Sequence, residues 1–368
     1  MVSETYMGGP ADIANTSAKS LDLQKTWKTW ASACQSKGTP TIVQLCHPGR
    51  QSPPGAGKRS FFSKTLAPSA VPMNFGPSLI ERLASAFLFG TPRAMTGDEV
   101  LEVVDQFVRA ARQCEEAGFK GIELHGAHGY LLAQFLSPRT NLRTDEFGGS
   151  PAARAEVVLR IIKGIRAVTK PEFAIGIKMN SVDASTSDSV EDTMIQIGLI
   201  VEAGIDFIEI SGGTYENPRM MAEPTPLLSE ATLSSAPEVK PSSSSRESFF
   251  LTFSGEVRNR FPKVHLMVTG GFRTRVGMEG ALQSNACDLI GIGRPAAVLP
   301  DLPKKILLNP AVKDEDASVE LQRLKEPWLV RMIPVKQVGA GYQSTYYAGQ
   351  IQRMGIGLVP IDTRVKVV

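Results

Sequence analysis

The chain has little of what marks several common protein classes. Its 368 residues include four cysteines, Cys34, Cys46, Cys114 and Cys287, and no CxxC pair. Such scatter argues against a disulfide framework or a zinc site and fits a reducing compartment. No uninterrupted run of about eighteen apolar residues occurs, so no membrane span is expected. The opening, Met1 to Gly9, has no basic stretch leading into an apolar core and does not read as a signal peptide. No block of like charge stands out, since 40 basic residues against 37 acidic ones leave +3. Composition therefore offers no case for nucleic acid or an acidic surface as partner. The hydrophobic content of 42% allows a sizeable core. A cytoplasmic protein acting on a small molecule is the expectation, with assembly into identical copies left open.

Short apolar strands alternate with amphipathic helical stretches. The strand candidates are Thr41 to Cys46, Gly121 to Leu124, Phe173 to Met179, Phe207 to Ile210, His265 to Thr269 and Leu289 to Ile292. Helical spacing marks Trp27 to Ala33, Val100 to Ala117, Arg154 to Val168, Val190 to Ala203 and Phe249 to Phe261. Near-continuous apolar strands joined by helical crossovers predict a parallel sheet covered on both faces. A doubly wound sheet would carry a glycine-rich turn after its first strand, and none is visible early. The glycine turns come late, at Gly270-Gly271 and Gly291 to Arg294, which is a barrel habit. The fold class expected is α/β, a (β/α)8 TIM barrel. The expectation is that the first one to two βα units, two being on the order of sixty residues, are missing from its front. Residues 1–310 form the expected barrel domain, with a capping excursion at 53–96 and a long loop at 211–246 that ends in a serine run. Residues 311–368 read as a helical extension, with a docking helix over Tyr342 to Met354 and a mobile tail after Pro360.

Four constellations could carry chemistry. His125, His128 and Tyr130 follow the strand at Gly121 to Leu124, where a barrel places its active site. Two imidazoles could donate to one carbonyl or nitro oxygen and stabilise charge developing there, and the tyrosine could deliver a proton. The plain alternative is a pair of structural histidines; a metal site would need a third ligand, and no HExxH spacing exists. Gln44 lies in an apolar strand and needs a hydrogen-bond partner, either backbone or the amide edge of a flat heterocycle such as a flavin. Lys178 ends another strand, either paired with Glu209 or Asp206 or set against an anionic group such as reduced flavin. Gly270, Gly271, Gly293 and Arg294 make two turns that would suit a phosphate together, though each alone is an ordinary βα turn.

In order and spacing these motifs resemble the old yellow enzyme family, the FMN-dependent ene-reductases. The resemblance covers nearly the whole chain and is closest to fungal members, many of which act in secondary metabolism. Val43-Gln-Leu-Cys-His-Pro-Gly-Arg50 is similar to the family's third strand, which puts Gln44 at the flavin pyrimidine edge. Thr65 to Ala70 and Pro92 to Met95 are similar to its capping segments, and Arg139 to Gly149 to its signature loop. His125 and His128 take the place of the substrate-carbonyl pair, the second being Asn in other members. Tyr130 takes that of the proton donor, Lys178 that of the base beside flavin N1, and Gly270, Gly271, Gly293 and Arg294 that of the phosphate cradle. The resemblance implies reduction of the C=C bond of an α,β-unsaturated carbonyl compound, with NADH or NADPH as hydride donor. The front departs from the pattern, because the chain begins near the end of the second unit. A catalytically impaired, flavoprotein-like binding protein is therefore the alternative, and a metal-dependent barrel hydrolase a further one.

Overall fold

The computed structural model describes residues 2–3, 20–53, 63–182, 189–213, 216, 241–321, 324, 327, 336–361 and 365–367. The chain falls into two compact units, Met1–Glu209 and Ile210–Val368.

The first unit opens with strand β1 (Val2–Ser3) and helix α1 (Ser20–Cys34), then strand β2 (Ile42–Cys46). The capping stretch carries β3 (Leu66–Ala67), α2 (Leu79–Leu88) and β4 (Arg93–Ala94); its residues 54–62 lie outside the described set. Next come α3 (Gly97–Ala117), β5 (Gly121–Gly126), the short α4 (Leu131–Leu136), α5 (Pro151–Val168), β6 (Ala174–Asn180), α6 (Val190–Glu202) and β7 (Phe207–Ser211). The strands lie in the order β1-β2-β5-β6-β7, and β1, β2, β5 and β6 run parallel where their registers are given.

Local signals explain the helix boundaries. Thr96 accepts from the Glu99 amide while Glu99 reaches back to the Thr96 amide, a capping box that starts α3 three residues before its first strongly apolar turn. Gly118 ends α3 at φ 98°, a left-handed conformation that costs glycine nothing. One strand face is apolar: Ile122, Leu124, Ile175, Ile177 and Ile208 are fully buried, as are Phe107, Ile161 and Ile162 on the covering helices. Each such side chain is worth about 1.5–3 kcal/mol of burial. The opposite face carries Gln44, Glu123, His125, Lys178 and Glu209. Phe207 belongs to that face too, its ring filling the space a Cβ at Gly176 would need. The Trp27 and Trp30 rings lie 5.0 Å apart, tilted at 50°, and both meet Phe119 edge-on.

In the second unit, α7 (Pro241–Arg260) precedes β8 (His265–Thr269), α8 (Arg275–Gln283), β9 (Leu289–Gly291) and α9 (Arg294–Val298). β8 and β9 pair in parallel. Of the expected loop at 211–246, residues 214–215 and 217–240 lie outside the described set, and α7 takes in the serine run at its far end. Beyond the barrel elements come β10 (Val319–Leu321), α10 (Lys336–Gly355) and β11 (Val365–Val367). β11 pairs antiparallel with β10, so the stretch expected as a mobile tail includes a strand; its Val-Lys-Val alternation suits one.

Candidate active site

The site in the first unit is built on the polar face of four neighbouring strands. In register, Gln44 on β2 stands opposite Glu123 on β5, and His125 on β5 opposite Lys178 on β6. Residues two apart on one strand share a face, so all four side chains belong to one surface.

His125 is buried at the end of β5. Its Nδ1 accepts from the Ala127 amide at 3.3 Å, which leaves the proton of the neutral ring on Nε2. That Nε2 lies 3.3 Å from His128 Nδ1. Burial first, then His128 and Lys178, hold the His125 imidazole well below the ordinary histidine range. Burial, and then Lys178, lower His128 to about 3. Both rings are therefore neutral at physiological pH, and each presents an N–H rather than a full charge. Tyr130 closes the group, its ring 4.6 Å from His125 at an interplanar angle of 83°.

A tight reversal makes this convergence. His128 at φ 57° and Gly129 at φ 75° both take the left-handed conformation, turning the chain so that Tyr130 folds back over His125. For histidine that conformation is sparsely allowed. The turn is held from outside: the His128 amide donates to Asn180 Oδ1 at 3.1 Å, and Gln51 Nε2 donates to the His128 carbonyl at 2.9 Å. Gln51 and Asn180 were not among the residues the motifs pointed to. For Asn180 the available signal is its place two residues after Lys178 on β6, hence on the same strand face; Gln51 sits in no spacing pattern.

Gln44 Nε2 donates to Glu123 Oε2 at 2.5 Å, so its partner is a side chain rather than backbone. Lys178 Nζ donates to Glu209 Oε1 at 2.6 Å. This is the pairing weighed for Lys178 as the alternative to an anionic ligand, and it leaves the ammonium further donors. Glu123 is masked in the sequence by its place inside the apolar run Gly121 to Leu124. The available signal was its place two residues before His125, hence on the same face.

The other candidates belong to the second unit. Gly270 and Gly271 end β8 at φ 142° and 83°. A Cβ at Gly291, which ends β9, would meet Thr269 Oγ1 at 1.7 Å. That hydroxyl is buried and has no hydrogen-bond partner among the described residues. Gly293 precedes α9, whose first residue is Arg294. Among the described residues no three His, Cys, Asp or Glu side chains converge as a metal-binding set, and no helix is long and apolar enough to cross a membrane.

Comparison with known proteins gives consistent findings. Residues 22–310 match the profile of the NADH:flavin oxidoreductase / NADH oxidase family. The NADH-dependent flavin oxidoreductase iliE of Hypocrea jecorina (strain QM6a) is 42% identical over 339 residues, 91% of this chain and 81% of that protein. The NADH-dependent flavin oxidoreductase iccE of Talaromyces variabilis is 42% identical over 359 residues, 96% of this chain and 84% of that protein. The iliE of Neonectria sp. (strain DH2) is 41% identical over 347 residues, 91% of this chain, but the chain spans only 44% of that relative's length. Among solved structures, morphinone reductase in complex with tetrahydroNAD is similar with a TM-score of 0.58 at 24% identity, over 80% of this chain and 72% of that one. A 2-naphthoyl-CoA reductase complex gives 0.62 at 24% identity, over 77% of this chain and 40% of that one. These structural likenesses establish the fold, the α/β class of the (β/α)8 TIM barrel.

Proposed function

The chain belongs to the NADH:flavin oxidoreductase / NADH oxidase family, the old yellow enzymes, and from that premise we propose that it reduces the C=C bond of α,β-unsaturated carbonyl compounds at the expense of NADH. Family membership makes it an FMN-dependent oxidoreductase. The natural enone is proposed to be an intermediate of secondary metabolism, on the resemblance to fungal members.

The residues fit FMN. Gln44 and Lys178 supply amide and ammonium groups on one strand face, matching the polar edge of a flavin ring. Gly270, Gly271, Gly293 and Arg294 are proposed for the phosphate. The support is the positive-φ backbone at Gly270 and Gly271 and the buried Thr269 hydroxyl beside them, which has no hydrogen-bond partner among the described residues. When bound, FMN supplies the hydride chemistry, taking hydride from the nicotinamide and passing it to the alkene.

The observation that carries the reading is the meeting of His125, His128 and Tyr130. A substrate carbonyl oxygen accepts from the N–H groups of the two neutral imidazoles. Their hydrogen bonds strengthen as negative charge gathers on that oxygen, which polarises the conjugated C=C bond. Neutral donors do this without burying a second cation beside Lys178. Tyr130 O–H then protonates the α-carbon.

The test is stopped-flow kinetics on the two half-reactions with a simple cyclic enone. Tyr130→Phe should slow alkene reduction by about 10²–10⁴-fold, the usual worth of a general acid, and leave flavin reduction by NADH unchanged. Equal slowing of both halves would contradict the role of Tyr130. A protein that takes up no FMN would overturn the reading altogether.

A further inference from the structure

The two carboxylates on the polar strand face are not explained by substrate or hydride chemistry. Glu123 and Glu209 are both buried, on β5 and β7. Glu123 Oε2 already accepts from Gln44 Nε2, and Glu209 Oε1 from Lys178 Nζ. Glu123 Oε1 is buried and receives no hydrogen bond from any described residue, although the Glu209 carboxylate lies within hydrogen-bonding reach of the Glu123 side chain. Two acceptors cannot bond each other, and a bare carboxylate oxygen is costly to bury.

We propose that Glu123 is a neutral carboxylic acid whose proton sits on Oε1 and is shared with Glu209, and that in this state it is a positioning residue for Gln44. The proton's location follows from the partners. Oε2 serves as acceptor to the Gln44 amide, so the acid hydrogen belongs to Oε1. Lys178 lies on Glu209, so the single negative charge of the carboxylate pair stays there. With one amide hydrogen of Gln44 given to Glu123, the Gln44 carbonyl Oε1 is the end turned away from the pair and offered to a ligand. The four side chains then sum to zero charge: +1 on Lys178, −1 on Glu209 and none on Glu123 or Gln44.

The groups facing Glu123 agree. From β2 comes Gln44, from β6 Lys178, from β7 Glu209, and along β5 lies His125, neutral, with neutral His128 beyond the strand end. Burial, and then the negative charge of Glu209, push the Glu123 carboxyl well above the carboxylate range, against the opposing pull of Lys178. A shared proton between two close carboxyls is the expected resolution of such a pair.

The experiment uses protein without flavin. Because the folded-state value of Glu123 is raised, its contribution to stability is full below the ordinary carboxylate pKa. It is lost as pH rises toward the folded-state value. Glu123→Gln keeps both hydrogen bonds and cannot ionise. Melting temperatures of wild type and Glu123→Gln, taken from about pH 5 to about pH 9, should diverge, wild type losing ground as pH rises. Parallel curves would overturn the proposal. Should Glu123→Gln not fold, infrared spectra of the wild type decide: a buried carboxylic-acid C=O band at neutral pH that fades on raising pH is expected, and its absence refutes the neutral acid. The role assigned to Gln44 rests on the FMN reading and has its own measurement. FMN affinity of wild type should fall with rising pH while that of Glu123→Gln stays level, and two level profiles would remove the link to Gln44. Failure to bind FMN at any pH would overturn the cofactor reading and leave the flavin-free result standing.

Discussion

His128 combines two costs in one residue. It holds a left-handed backbone at φ 57°, and its ring is kept from protonation by burial beside Lys178. Asparagine adopts that backbone more readily and still donates a hydrogen bond from its side chain. The linkage has a definite sign. The folded-state value, about 3, lies below the ordinary 6.5, so the unfolded chain binds a proton that the folded chain refuses. Stability from this residue is present above the unfolded value and is lost as pH falls through the window toward the folded value. His128→Asn should therefore gain stability over wild type near about pH 5 and gain less near about pH 8, as read by thermal unfolding. A gain that does not depend on pH would assign the whole effect to the backbone. At this scale the sequence made His125, His128 and Tyr130 legible, because three ring side chains cluster at a strand end. Glu123 was hidden for the opposite reason: inside an apolar run, one carboxylate carries no spacing signal until the strand's inward face is known.

Arg143 shows how one loop ties down the segment that covers the strand ends. In the loop that follows α4, its Nη1 donates to the Pro68 carbonyl at 3.2 Å and the Met95 carbonyl at 2.5 Å, one on each side of the β3–β4 pair. Asp145 holds the guanidinium in place, and this hydrogen bond keeps the Asp145 carboxyl below its ordinary range. The loop itself closes on Asn141, whose Nδ2 donates to the Phe135 and Phe147 carbonyls. Hydrogen bonds from a charged donor contribute about 1.5–3 kcal/mol each. Arg143→Ala should loosen residues 65–95 by an amount of that order, raising amide hydrogen exchange at Arg93 and Met95, which donate to Thr65 and Ala67, while α5 keeps its protection. Uniform loss of protection would mean that the arginine stabilises the whole unit instead. Elements of this kind were the least legible ones. The main strands and long helices announced themselves by period, and α3, α5 and β8 fall where the pattern put them. The helix α2 is the exception: Leu79, Ile80, Leu83 and Phe87 recur at helical spacing inside the stretch expected as a capping excursion, and in the structure they are largely exposed rather than a buried stripe. Pairing across the excursion depends on side chains from a distant loop, which local pattern cannot reveal.

For the molecule as a whole, the FMN reading divides its ligand between chemistry from early and late in the chain. Gln44 and Lys178 lie early in the sequence, and Gly270, Gly271, Gly293 and Arg294 late. If the first group serves the ring and the second the phosphate, riboflavin, which has the ring alone, separates their contributions. Wild type should bind FMN more tightly than riboflavin, because a phosphate gains charge-assisted hydrogen bonds that a hydroxyl does not. Arg294→Ala should weaken FMN and leave riboflavin nearly unchanged, so that the two affinities approach each other. Gln44→Leu should weaken both by the same factor, since each flavin loses the same ring contact. Quenching of free-flavin fluorescence on titration gives all six affinities. Thermal unfolding gives an independent reading, because a ligand present at a hundredfold its Kd adds about 2.7 kcal/mol to stability. Loss of riboflavin binding in Arg294→Ala would move that arginine from the phosphate to the ring, or to the fold. Retained discrimination in the same variant would place the phosphate elsewhere in the chain.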